Sequence, residues 1–167
     1  MQPSKFIIPG RLKYKTGDAT VPESAGHRII VHVCNDVGAF GAGFAKAVAK
    51  RWPAVKNKYN LWHRSQNKFI QGEIQEVRVQ SDTIVVNMLA QEGLISKENP
   101  TPINYDSLKQ CLSKAALLAV DNGSSIHMPR IGCGLAGGSW NKVEKIIIDQ
   151  IIERGVNVTV YDLPENK

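Results

Sequence analysis

Short apolar runs alternate along this chain with longer stretches of three-to-four-residue periodicity. The run Ile29-Ile30-Val31-His32-Val33-Cys34 is apolar and rich in β-branched residues, which predicts a strand buried on both faces. Residues near Leu12 to Lys15 predict an opening strand ending at Gly17-Asp18-Ala19-Thr20. Ile74 to Val79 alternates apolar and polar positions, Ser81-Asp82 supplies a turn, and Thr83 to Leu89 completes a hairpin. Ser125 to Met128 and Val156 to Tyr161 predict two more strands. A short helix is expected over Ala45 to Arg51. The chain then restarts at Trp52-Pro53 into a second helix reaching about His63, since proline suits a first helical turn. After the polar loop Gln91 to Pro102, Asn104 caps a helix whose face carries Leu108, Cys111, Leu112, Ala115 and Ala119, and Asn122-Gly123 stops it. Ser139 caps the last helix, with Val143, Ile147 and Ile151 as its apolar stripe before Gly155.

This alternation predicts an α/β fold in three layers, helices on both faces of a central mixed β-sheet. The 167 residues are expected to form one domain, with an apolar fraction of 43% and a charged fraction of 22% that fit a globular protein. Cys34, Cys111 and Cys133 are odd in number and lack metal-type spacing, so neither a disulfide framework nor a metal site is expected. No secretory signal or membrane-length apolar run is visible; the expectation is a cytoplasmic monomer without a membrane partner. The net charge of +6 favours anionic partners, but the lysines look dispersed and no basic run interleaves with aromatics, which disfavours nucleic acid.

Two glycine-rich loops carry the candidate chemistry. Asn35-Asp36-Val37-Gly38-Ala39-Phe40-Gly41-Ala42-Gly43 follows the first buried strand, and Pro129-Arg130-Ile131-Gly132-Cys133-Gly134-Leu135-Ala136-Gly137-Gly138 follows Ser125 to Met128. Each is read as opening a helix, where glycine admits close approach and unpaired N–H groups attract an anion. Two such loops at strand ends can clamp a diphosphate from both sides, with no lysine or metal required. The first loop reverses the G-x-G-x-x-G spacing of dinucleotide sites and lacks the Lys-Ser/Thr of a P-loop, which disfavours a dehydrogenase or NTPase. For either loop alone, tight turns between strand and helix are the competing explanation.

With these two loops, Gly17-Asp18-Ala19-Thr20 and Val158-Thr159-Val160-Tyr161 in order, nearly the whole chain resembles a macrodomain. The segment Met128 to Leu135 is similar to the branch holding terminal ADP-ribose glycohydrolases and yeast-type ADP-ribose 1''-phosphate phosphatases. The resemblance implies an ADP-ribose ligand, no cofactor, and residue roles. Asp18 would accept from the adenine amino group, with Ala19 beside it, unless it is a turn carboxylate. Asn35 would bond the distal ribose. Gly41, Ala42 and Gly43 would present amides to that ribose and the diphosphate. Arg130, Ile131, Gly132, Cys133, Gly134, Leu135, Ala136 and Gly137 would close from the other side. Tyr161 or Leu163 would meet adenine, a core or edge position for Tyr161 being the alternative.

The glycohydrolase branch carries a lysine and an aspartate where this chain has Gln91 and Ala136, so a lysine-adduct mechanism is not expected. The catalytic candidates left are Asp36, as a base or water-positioning group, and Gln91, which orients water but takes no proton. A loop carboxylate satisfied by nearby amides is the competing role for Asp36. Cys133 sits near helix N-terminal amides that would lower its thiol, yet reads as a small filler. His32 and His127 read as half-buried strand residues without an oriented partner, and Met128 and Trp140 as core. The functional expectation is an ADP-ribose-binding domain that hydrolyses ADP-ribose 1''-phosphate or a related derivative, the alternative being a reader that binds without turnover.

Overall fold

A computed structural model of the protein describes residues 6–164. The elements run β1 (Leu12–Thr16), β2 (Arg28–Asn35), α1 (Gly43–Arg51), α2 (Pro53–Ser65), β3 (Ile74–Gln80), β4 (Thr83–Gln91), α3 (Tyr105–Asn122), β5 (Ser125–Met128), α4 (Trp140–Gln150), a 3-10 turn (Ile152–Arg154) and β6 (Val158–Asp162). One six-stranded sheet has the order β1-β6-β5-β2-β4-β3. Among the strand pairs of the described residues only β3–β4 is antiparallel, so the sheet is mixed as expected. No helix among the described residues is long and apolar enough to cross a membrane.

Alternation along the strands divides the core in two. Ile29 and Val31 point toward α3 and α4, packing with Leu108, Leu112, Val143 and Ile147. Ile30 and Cys34 point the other way, onto Val48 of α1 and Val55 and Tyr59 of α2. All nine residues of β4 are buried. Two-sided burial is why these strands read as continuous apolar runs.

Local chemistry fixes the helix ends. The Ser107 N–H donates to Asn104 Oδ1 at 2.9 Å, the expected cap, and Gly123 ends α3 at φ 62°. Pro53 is the first residue of α2. Ser139 does stand at the N-cap of α4, but its side chain makes no capping bond; its N–H donates instead to the Tyr105 hydroxyl at 2.8 Å. α1 starts two residues before the expected Ala45, at Gly43 of the first loop, whose φ of 58° is left-handed. Trp140 is half-buried rather than core, its indole N–H donating to the Tyr14 hydroxyl at 3.0 Å.

Both strand histidines are fully buried and partnered, against the expectation. His32 Nε2 meets Asn87 Oδ1 at 2.6 Å, and Asn87 Nδ2 donates to Gln75 Oε1 at 3.0 Å, forming a polar ladder across β2, β4 and β3. Gln75 Nε2 then donates to the Lys58 carbonyl of α2 at 3.0 Å. His127 Nδ1 shares a proton with the Tyr161 hydroxyl at 2.8 Å, and its Nε2 faces Ser125 Oγ at 2.7 Å. The polar sides were legible only as alternation: Ser125 lies two residues before His127 on β5, but the other partners lie one or two strands away.

Burial pushes His32 down to about 4 from 6.5; the Asn87 bond opposes this. Burial likewise pushes His127 to about 4, and the Arg28 charge adds to it. Both are neutral when folded and protonate near 6.5 when unfolded, so stability is present above pH 6.5 and falls as the pH drops toward 4. Urea denaturation is expected to show that loss, on the order of 3 kcal/mol per histidine. His127→Gln should flatten the slope between pH 6.5 and 4; an unchanged slope in that variant would remove His127 from the account.

Candidate functional site

The chain leaves β2 toward α1 on one face of the sheet and leaves the neighbouring β5 toward α4 on the other. Such a reversal opens a crevice beyond the carboxyl ends of the two strands. A cavity of about 980 Å³ occupies it. Both glycine loops line it, as do Gly17, Asp18 and Ala19 after β1 and Tyr161, Asp162 and Leu163 at the end of β6. The loops meet: a Cβ on Gly43 would stand 3.1 Å from Leu135 Cδ1.

The first loop is built by hydrogen bonds from β2. A register shift between Cys34 and Asn35 turns the strand end. Asn35 Oδ1 then accepts from the Val37 and Ala39 N–H groups, each at 3.1 Å, and its Nδ2 donates to the Ala39 carbonyl at 2.7 Å. The buried Tyr59 hydroxyl donates to the Asn35 carbonyl at 2.6 Å and accepts from the Gly38 N–H at 3.2 Å. Asn35 thus organises its own loop, and one of its two amide hydrogens is left over. α1 begins with Ala42 as N-cap, no side-chain cap bond and no acidic residue in its first turn. Gly43, Phe44 and Ala45, whose N–H groups precede the first helical bond, line the cavity.

The second loop offers amides without a helix. Pro129, Arg130, Ile131, Gly132, Gly134, Leu135 and Ala136 line the cavity, whereas Ser139 and Trp140, where α4 starts, do not. The expectation of two helix N-termini therefore reduces to one helix and one loop. Cys133 and Gly137 are also outside the lining. Gly137 is required by packing: at φ 69°, its Cβ would fall 2.3 Å from the Pro100 carbonyl oxygen. Burial raises the Cys133 thiol above its ordinary value, with Arg130 only partly opposing, so no helix N-terminus activates it. Gly41 and Gly134 differ from Gly137. Neither has positive φ, and a Cβ on either would meet nothing within 4 Å. Among the described residues, nothing requires glycine at these two positions.

The charged lining is Asp18, Arg130 and Asp162. Arg130 is committed: its Nε and Nη2 donate to the two Asp162 oxygens at 2.9 Å each, and its guanidinium lies 4.8 Å from the Tyr14 ring and 4.9 Å from the Trp140 ring. The Arg130 guanidinium holds the Asp162 carboxyl below its ordinary value. Asp18 Oδ1 accepts from the Thr20 N–H and hydroxyl, each at 2.8 Å, a turn role that does not use Oδ2, and the residue lines the cavity. Tyr161 serves the interior and the lining together, its hydroxyl on His127 and its ring beside Gly17.

Asp36 stands outside the lining. Its Oδ1 accepts from the Gly93 N–H at 2.8 Å and its Oδ2 from Gln71 Nε2 at 3.3 Å. Gln71 Nε2 also donates to the Gln91 carbonyl at 3.0 Å. The carboxylate therefore braces the loop after β4, whose Leu94 and Ile95 project into the lining. Gln91 does line the cavity, with Nε2 on the Gly93 carbonyl at 3.0 Å. Leu94, Ile95, Phe44, Ala47, His32 and Asp162 were missed from the sequence. The pair Leu94-Ile95, apolar within a polar loop, was the one signal available.

The Macro domain family model matches residues 31–147, well over half of the chain. The bovine (Bos taurus) "ADP-ribose glycohydrolase OARD1" is 26% identical, over 96% of this chain and 97% of that protein. The "ADP-ribose 1''-phosphate phosphatase" of Lodderomyces elongisporus is 24% identical, over 90% of this chain and 99% of that one. The mouse (Mus musculus) "Chromodomain-helicase-DNA-binding protein 1-like" is 26% identical over 93% of this chain, which spans 18% of that protein's length. Among solved structures, a macrodomain protein from Streptomyces coelicolor is 42% identical with a TM-score of 0.82, covering 91% of this chain and 99% of that one. With the crevice between β2 and β5, the two loops that meet across it and a family match through both, this chain belongs to the Macro domain family.

Proposed function

We propose that the cavity binds ADP-ribose through the main-chain amides of both loops, and that water then cleaves a group from the ligand's distal end. A phosphate at the 1'' position is the simplest such group. The observation that carries this reading is the pair Gly41 and Gly134, which face open space on the two loops without any demand from φ or packing. Side chains there would intrude on whatever the loops hold. A diphosphate fits, because neutral amides and a helix N-terminus bind it where, among the described residues, no uncommitted cation lines the cavity. The names carried by the bovine and Lodderomyces relatives support an ADP-ribose derivative as the substrate class.

In this reading Asp18 Oδ2 accepts from the adenine amino group, Tyr161 and Leu163 border the ring, and the remaining Nδ2 hydrogen of Asn35 reaches the distal ribose. Phosphoryl transfer passes through a loose transition state, so it asks for positioning and charge stabilisation more than for a strong base. Loop amides supply the donors. Gln91 Oε1 is suited to orient water beside the apolar shelf of Leu94 and Ile95. Asp36 then acts as a positioning residue through Gly93. A second reading, binding without turnover, draws on the same geometry, because both Asp36 oxygens already accept hydrogen bonds and Gln91 takes no proton.

Calorimetric titration is expected to show ADP-ribose binding at least tenfold tighter than AMP. Gly134→Val should weaken that binding by at least tenfold with an unchanged melting temperature. Equal affinity for AMP and ADP-ribose would remove the distal-ribose assignment. A phosphate-release assay on ADP-ribose 1''-phosphate separates turnover from binding alone. In that assay Asp36→Asn keeps an acceptor for Gly93 and should retain most turnover, whereas Asp36→Ala should raise KM. Loss of kcat in Asp36→Asn with unchanged KM would instead make Asp36 the proton acceptor.

A further inference from the structure

The two helical layers differ sharply in charge. α1 carries Lys46, Lys50 and Arg51, α2 carries Lys56, Lys58 and Arg64, and neither helix has a carboxylate. Lys68 follows in the turn. From Val37 to Gly72 the chain holds these seven cations and no Asp or Glu, more than the whole net charge of +6. The opposite layer is balanced: α3 sets Asp106 and Asp121 against Lys109 and Lys114, and α4 sets Glu144 and Asp149 against Lys142 and Lys145. All seven cations are exposed. The ion pairs of the described residues are Lys15–Glu23, Arg28–Asp82, Lys114–Glu73 and Arg130–Asp162, so none of the seven has a partner. The dispersed look of the lysines is thus corrected by the fold. Because Val48, Val55 and Tyr59 face the sheet, the cations are left on the outside of a single layer.

Like charges gathered this way repel one another and add nothing to folding. A merely solvated surface mixes signs, as α3 and α4 do. We propose that the outer surface of α1 and α2 docks single-stranded nucleic acid through its phosphates, independently of base sequence. A membrane surface fits poorly, since an interfacial helix presents several large apolar side chains and Leu61 is the one that α1 and α2 expose. Half-buried Trp52 and Trp62 stand among the cations, with the Arg51 guanidinium 4.9 Å from the Trp52 ring, which suits a strand whose bases are free to stack. The surface is continuous with the cavity, because Phe44, Ala45 and Ala47 line it from the same helix that carries Lys46 and Lys50. The inference holds whether or not the cavity takes ADP-ribose.

Fluorescence anisotropy of the full chain with labelled dT20 tests it. Affinity should fall with salt along a log–log slope of about −3, as expected for four or five neutralised phosphates on a single strand. The variant K50A/K56A/K58A/R64A should bind at least tenfold more weakly at low salt, with a flatter slope and wild-type ADP-ribose titration and melting temperature. A control of equal charge change, K13A/K109A/K142A/K145A, should bind dT20 like the wild type. If the first variant loses melting temperature, K56A/K58A replaces it, with a loss of at least threefold expected. No binding of dT20, equal losses in both four-site variants, or tighter binding to a twenty-residue polyglutamate or to phosphatidylserine vesicles would each overturn the proposal.

Discussion

The cavity depends on peptide N–H groups that the protein leaves without internal partners. Most backbone donors in a folded chain are paired, and the exceptions are tolerated at a helix start or in an open loop. Here the exceptions lie where β2 and β5 send the chain to opposite faces of the sheet. The first turn of α1 has no capping side chain, and in the second loop Gly134 stays open while Gly132, Gly137 and Gly138 are hemmed in by Ile103, Pro100 and the loop's own backbone. Parallel pairing of β2 with β5 sends the chain out of both strands at the same edge of the sheet, β2 running on past the end of β5. The loops then meet because the sheet leaves them no other place, and Leu135 reaches Gly43.

The polar side chains of the site act mostly on the protein. Asn35 ties its own loop and is itself held by Tyr59, while Asp36 and Gln71 hold the segment after β4. Arg130 is occupied by Asp162 and two aromatic rings. With these groups committed to the protein, much of what the two loops present to the cavity is backbone, and backbone geometry is what the braces keep in place. A rigid set of amides stabilises an anion without reorganising at the moment of binding. In such a site a carboxylate contributes by where it fixes a loop, a different contribution from taking a proton.

The buried polar ladder from His32 through Asn87 and Gln75 to Lys58 connects the floor of the cavity to the underside of α2. Its members pair across three strands, although His32 Nδ1 has no partner among the described residues, and this pairing adds to the register that the apolar packing sets. The same helical layer carries its cations outward and its aromatic residues inward, Tyr59 against Phe40 and Phe69. One layer therefore supplies both a wall of the cavity and an electrostatically distinct outer surface.

By itself the sequence determined the order of strands and helices, the mixed three-layer sheet, the Asn104 and Gly123 helix ends and the two glycine loops. Each of these is written in residues close together along the chain, as periodicity, caps or turn chemistry. The tertiary structure decided which glycines are needed by packing and which face open space, since Gly137 and Gly134 look alike until Pro100 is seen beside one of them. It also decided that Asp36 braces Gly93, that both strand histidines have partners, and that α4 starts away from the cavity. The partners in these contacts are separated by tens of residues, and no local pattern encodes a distance across the fold. The charge of Val37 to Gly72 was countable in the chain, but it became a surface only when α1 and α2 packed on one side of the sheet.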